Sequence, residues 1–142
     1  MKNKQKQFKS VLAIDLGHTY GFCFKDFIAE NSGENKWKEL TEWGVQLTEL
    51  LSLYKPDILV LSQTNNFGFW NAARSALMQA GVAFYLAGKK GIAGIEMNDS
   101  SCRKIVLGKA IKKKDVQALY PEYLPNELDA VIIARASWLQ FN

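Results

Sequence analysis

Apolar positions along this chain fall into short unbroken blocks and longer spaced stripes, and the two kinds alternate. Val11-Leu-Ala-Ile14 is a continuous apolar run rich in strand formers, which predicts a strand buried on both faces with Asp15 at its carboxyl end. Gly17 and Gly21 supply turn geometry, and Tyr20 to Phe24 predict a second strand returning beside the first, so that the paired strands run from about Phe8 to Ala29. Asn31-Ser-Gly-Glu-Asn35 reads as a loop. Leu40, Trp43, Leu47, Leu50, Leu51 and Tyr54 then recur at spacings of three and four, with Glu39, Glu42 and Glu49 on other faces. This is an amphipathic helix, and it ends before Pro56. Asp57-Ile-Leu-Val-Leu-Ser62 predicts another apolar strand, and the order strand, helix, strand implies a parallel pairing through a right-handed crossover. Ser62 and Gln63 then stand near a strand end, as Asp15 does.

Thr64-Asn-Asn-Phe-Gly-Phe-Trp70 is a polar loop carrying three aromatics, and it leads into Ala72, Ala73, Ala76, Leu77, Ala80, Phe84 and Ala87. These predict one long helix of small residues, unbroken to Ala87 despite Gly81, that packs closely on something. Ile92 to Met97 predicts a strand, Ser101 to Leu107 a short helix stopped by Gly108, and Lys113 to Leu119 another helix. Leu124-Pro-Asn-Glu127 opens the last helix, to which Ala130, Val131, Ile133, Ala134 and Leu139 give apolar surface. The class is therefore α/β, with one domain over residues 1–142, no repeats, and a polar, fraying start at residues 1–7.

Composition narrows this picture. The 142 residues are 48% hydrophobic with only 3 prolines, enough to bury one core. No apolar run approaches the roughly 20 residues of a membrane span, and the Lys-rich start lacks the apolar block of a signal peptide. The expectation is a cytoplasmic protein of a bacterium or phage-infected cell that meets no membrane. Cys23 and Cys102 are too few for a disulfide framework, and His18 without a Cys-x-x-Cys is a turn residue, not a zinc ligand. The net charge of +4 is unevenly placed: Lys89, Lys90, Arg103, Lys104, Lys109, Lys112, Lys113 and Lys114 share one stretch opposed only by Glu96 and Asp99. Such a block either attracts nucleic acid, through release of counterions from phosphates, or is a solvated surface.

The candidate chemistry lies where strands end. Asp15 on a core strand must be paired, hydrogen-bonded or bound to a cation, unless it only caps a turn, because an isolated buried charge is too costly. On the last helix Asn126 and Asp129, three apart, share a face that can point at the sheet edge where Asp15 and Ser62 end. Asn126 also suits an N-cap, with Asp129 completing a capping-box-like pair.

In order and spacing, Ile14-Asp-Leu-Gly17, Pro56-Asp-Ile-Leu-Val-Leu61, Arg103-Lys-Ile-Val-Leu-Gly108 and Leu128-Asp-Ala130 resemble the RuvC-type Holliday-junction resolvases of the RNase H-like superfamily. The resemblance covers nearly the whole chain. It implies an RNase H-like mixed sheet flanked by helices, a homodimer built on the Ala-rich helix, branched four-way junction DNA as partner, and hydrolysis that depends on magnesium or manganese. The site it implies is Asp15, Ser62, Gln63, Asn126 and Asp129, with Asp15 and Asp129 as metal ligands. Arg103, Lys104, Lys112, Lys113 and Lys114 would meet DNA phosphates, and Phe67 and Phe69 occupy the loop from which the family inserts an aromatic at the junction centre.

This chain departs from the family where charge matters. The family's crossover strand ends in Glu, often followed by Gln, and its last helix carries two Asp; here stand Ser62, Gln63, Asn126 and Asp129. Three accounts stay open: a relative that only binds and needs no metal, a nuclease with an altered metal site, or a chain whose catalytic acids were replaced by design. Two other classes also stay open. Ile14-Asp-Leu-Gly-His-Thr-Tyr20 resembles the first phosphate loop of the actin and heat-shock chaperone ATPases, and a dimeric adaptor that binds no DNA would leave the basic stretch idle.

Overall fold

Strand β1 (Ser10–Asp15) is buried at every position and lies in the middle of a five-stranded sheet, which is what its unbroken apolar run requires. The computed structural model describes residues 8–63 and 70–142. Strand β2 (Thr19–Asp26) returns antiparallel to β1, and β3 (Glu30–Lys36) runs antiparallel to β2 at the edge. Helix α1 (Leu40–Tyr54) carries the chain across to β4 (Ile58–Ser62), and α2 (Trp70–Lys89) to β5 (Ala93–Met97), each strand parallel to its neighbour. The order across the sheet is β3-β2-β1-β4-β5. Helices α3 (Asp99–Leu107), α4 (Lys113–Leu119) and α5 (Pro125–Phe141) complete the described chain.

Alternation along the strands divides the interior in two. Val11, Ala13, Ile58 and Val60 pack with Cys102, Val116 and the buried length of α5. Leu12, Ile14, Leu59 and Leu61 pack on the other face with Trp43, Leu47 and Leu51 of α1 and with Ala80, Ala83 and Ala87 of α2. The small residues of α2 let it lie close, and the Trp43 indole donates 2.9 Å to the Gln79 carbonyl, fixing α1 to α2. The β1–β4 register runs from Val11 opposite Ile58 to Ile14 opposite Leu61. Asp15 and Ser62, one step further, therefore share the face covered by α5.

Two expectations are corrected. The loop expected at Asn31–Asn35 is strand: its backbone pairs with β2 from Lys25 opposite Glu30 to Thr19 opposite Lys36. Period two is present there, but in polar residues. Glu30 takes two bonds from the Arg135 guanidinium at 2.7 and 2.9 Å, the Ser32 hydroxyl donates 2.7 Å to Glu127, and Glu34 accepts the Asn126 N–H at 3.3 Å. All three partners lie on α5, so one face of β3 is satisfied by a helix and needs no apolar side chains. Nor is Asn126 the N-cap of α5, which is Leu124; Pro125 begins the helix, and Glu127 reaches back to accept the Leu124 N–H at 3.0 Å.

The approach of α5 to the sheet depends on Gly21. A Cβ there would sit 1.8 Å from the Asn126 carbonyl oxygen and 2.7 Å from the Glu127 nitrogen, both backbone atoms that cannot swing away. Gly21→Ala should therefore cost about 2 kcal/mol or more in urea unfolding, at the upper end of overpacking effects. A loss below about 0.5 kcal/mol would mean that α5 can retreat from β2 without consequence.

Candidate active site

Asp15 ends β1, is only 7% exposed, and stands opposite Gly21 in the β1–β2 register. Because position 21 has no side chain, the first turn of α5 settles over this strand end. One turn further along the helix is Asp129, 6% exposed, whose carboxyl group adjoins that of Asp15. Lys113, the first residue of α4, reaches in from a largely exposed position and sets its Nζ 2.7 Å from Asp129 Oδ2.

A third acid joins them from α3. Asn98 caps that helix by accepting the Ser101 N–H at 3.1 Å, and its own amide donates 3.1 Å to Gln63 Oε1 just beyond β4. Gln63 in turn gives its backbone N–H to the Met97 carbonyl at 3.0 Å. These bonds hold the start of α3 against the strand end and place Asp99 in its first turn, where Asp99 Oδ1 is shut from solvent with no hydrogen-bond partner among the described residues.

The electrostatics follow from crowding. Burial, then the charges of Asp129 and Asp99, push the Asp15 carboxyl well above the usual carboxylate range, and Lys113 only partly opposes them. Burial and Asp129 likewise raise Asp99, against the pull of Arg103 and Lys113. For Lys113 burial works against the charge, but the bond to Asp129 and the nearby Asp15 and Asp99 outweigh it and raise its pKa. An acid-rich strand end that already draws in an ammonium group suits a hard divalent cation, which takes carboxylate oxygens. In the conformation described, no three His, Cys, Asp or Glu residues among the described ones close into a metal-sized cage. To hold one divalent ion these carboxylates would have to draw together and Lys113 would have to be displaced.

The other residues singled out in the sequence are distributed as follows. The Ser62 hydroxyl, 5% exposed, accepts the Leu16 N–H at 2.8 Å and so latches β4 to the end of β1. Gln63 turns to Asn98, and Asn126 gives its backbone N–H to Glu34. Arg103 donates 3.2 Å to the Ile111 carbonyl and lies within electrostatic reach of Asp99. Lys112 and Lys114 line, with Lys109, an open groove of about 610 Å³ beside α4, and Lys104 is exposed on α3. Phe67 and Phe69 lie outside the described residues. From the sequence Asp99 reads only as a counter-charge in the basic stretch. Its signal was local: Asn98-Asp-Ser-Ser101 is an N-cap pattern directly after a strand, which puts an acid at the sheet's carboxyl edge.

Relieving the crowding should stabilise the metal-free protein. Asp15→Asn removes a buried charge held beside two other acids and leaves an amide that can donate to Asp129, so the variant should gain about 1 kcal/mol or more in unfolding free energy. Thermal melting in chelator reads this directly, and a variant that melts lower would contradict the electrostatic description.

No family model and no curated sequence matches the chain. Solved structures do. A Thermus thermophilus RuvC in complex with a Holliday junction substrate superposes with a TM-score of 0.75 at 13% identity, over 94% of this chain and 97% of that one. A second Thermus thermophilus RuvC structure gives 0.71 at 16% identity, over 89% and 92%. The yeast mitochondrial Holliday junction resolvase Ydc2 gives 0.55 at 13% identity, over 92% and 79%. The chain has the RNase H-like fold of the RuvC resolvases.

Proposed function

We propose that this protein binds four-way DNA junctions in the manner of a RuvC-type resolvase and hydrolyses them slowly, with one divalent ion held by Asp15, Asp129 and Asp99. The observation that carries the reading is the convergence of these three acids with Lys113 at one strand end, beside the groove of Lys109, Lys112 and Lys114. That the fold is shared with a RuvC seen on a Holliday junction substrate supports the choice of DNA structure.

Each part of the chain has a task in this reading. Arg103 and Lys113, already beside the acids, meet the phosphate to be cut, while Lys104, Lys112 and Lys114 hold the backbone on either side. A bound magnesium or manganese ion would supply Lewis-acid charge and an acidified water. In its absence Lys113 offsets part of the acid charge, so the site stays folded while empty. Phe67 and Phe69 take the stacking role that the resemblance to the resolvases implies for them. The outward face of α2, with Leu77, Met78 and Tyr85 exposed, supports a homodimer through that helix, which would address two strands of one junction.

Binding is tested by gel shift or anisotropy across a salt series. Four-way junction DNA should bind more tightly than duplex of the same sequence, with affinity falling steeply with salt, and Lys112→Ala or Lys114→Ala should each shallow the slope by about one unit. Affinity unchanged between low and physiological salt would remove the reading.

Cutting is limited by charge. Two divalent ions bring four positive charges to three carboxylates of which Asp129 is already paired with Lys113, so a second ion binds weakly and hydrolysis is slow. Ser62 lies on the Asp15 face of β4, so Ser62→Glu together with Asn126→Asp should raise magnesium-dependent nicking of a junction at least about tenfold, and either change alone much less. Asp99→Asn in the unmodified chain should abolish the residual nicking but leave junction binding intact. Nicking by Asp99→Asn at the unmodified rate would take Asp99 out of the site.

A further inference from the structure

Across the sheet edge from the acids lies a cavity that the phosphate chemistry does not use. It is about 330 Å³, bounded by the Leu16-Gly17-His18 turn, by Trp37 after β3, and by Asn71, Ser75 and Gln79 of α2. Leu16 and Gly17 follow Asp15 directly in the chain, so the cavity opens at the same end of the sheet but on the face of α1 and α2. Its size is at the small end of ligand pockets, about 300–1,000 Å³, and admits one flat heterocycle.

Its floor holds an unmet donor. Gln79 is closed to solvent, and its Oε1 accepts the Gly17 N–H at 2.8 Å. That bond fixes which end of the amide is oxygen, and Nε2 is left buried with no partner among the described residues. Buried amide N–H groups without a partner are rare, and each calls for an explanation. The walls are equally rigid. The Trp37 indole donates 2.7 Å to the Gly17 carbonyl, and the Trp37 N–H donates 2.9 Å to the His18 carbonyl. His18, exposed, stacks on Trp37 with centroids 4.3 Å apart and planes 27° from parallel.

We infer that this cavity takes an unpaired nucleobase extruded from the junction, packed against the exposed His18 ring that Trp37 backs, with a ring carbonyl accepting from Gln79 Nε2. The inference rests on the junction-binding reading and deepens it. A junction's branch point is where bases unstack at least cost, and the cavity stands beside the carboxylates that would face the strand there. The fixed amide asks for an acceptor, so the class of base is one that presents a carbonyl oxygen.

The test uses the full chain and two synthetic four-way junctions, one carrying a single unpaired thymidine at the branch point and the other an abasic residue in its place. Wild type should bind the thymidine junction about tenfold more tightly, and should protect that thymine from permanganate oxidation. Gln79→Leu, which keeps bulk and removes the donor, should erase both effects without changing affinity for the abasic junction. Ser75→Phe, which fills the cavity and leaves Gln79 in place, should do the same and guards against a folding defect in the first variant. Equal affinity of wild type for both junctions, each still above duplex, would overturn the base-seating inference and leave junction binding standing; the Gln79 amide would then hold a buried water only. No preference of either junction over duplex would overturn both.

Discussion

The site exists because one backbone can touch another at Gly21. That glycine faces Asp15 across the β1–β2 pair, and the space where its Cβ would be is filled by the carbonyl of Asn126. A helix that begins this close delivers its next turn, with Asp129, onto the end of the neighbouring strand. The polar face of β3 then holds the helix in register: Glu30 to Arg135, Ser32 to Glu127, Glu34 to Asn126. An apolar contact alone would let α5 slide. Three directional bonds spread from its first turn to its third fix where Asp129 stands.

The carboxylates gathered this way repel one another, and the fold tolerates them by distributing the counter-charge over separate elements. Lys113 comes from α4, so Asp15 on β1 and Asp129 on α5 draw their counter-charge from another element, while Asp99 has Arg103 one turn along its own helix. Charges supplied from helices can be displaced without unfolding a strand. This is an arrangement suited to exchanging a protein cation for a bound one, and it is unlike a structural ion pair, where both partners are buried and removal of one is costly. Stability given up at Asp15 is recovered in the apolar layers on both faces of the sheet, where Leu12, Ile14, Leu59 and Leu61 on one side and Val11, Ala13, Ile58 and Val60 on the other are all but inaccessible.

Hydrophobic patterning made β1, β2, β4, β5 and the five described helices legible, because each carries apolar residues in a run or stripe whose period reports its conformation. It could not report β3. Glu30 to Lys36 buries no apolar side chain, and its strand form comes from backbone pairing and from polar partners on α5, about a hundred residues away in the chain. The same limit hid Asp99. Asp15 and Asp129 are conspicuous as acids within apolar runs, whereas Asp99 sits among polar residues at a helix start, where an acid is ordinarily explained by capping and the helix dipole. Only the contacts of Asn98 with Gln63 and the proximity of Asp129 give it another meaning.

On the reading proposed here, an acid missing from one element is supplied by another that reaches the same point. Ser62, where the resemblance to the resolvases implies a glutamate, is used instead as a latch that accepts the Leu16 N–H. Its neighbour Gln63 then binds the cap of α3, and α3 carries Asp99 to the edge from which Ser62 contributes no charge. The bond from Asn98 to Gln63 adds to the β4–β5 ladder, which brings the helix start to the strand end. A carboxylate on a helix turn is held less rigidly than one on a central strand, because it depends on side-chain bonds instead of a ladder of backbone bonds. Ligand geometry about a metal would accordingly be looser at Asp99 than at Asp15. For in-line displacement, where misplacement by an ångström is expensive, that looseness favours holding the junction over cutting it quickly.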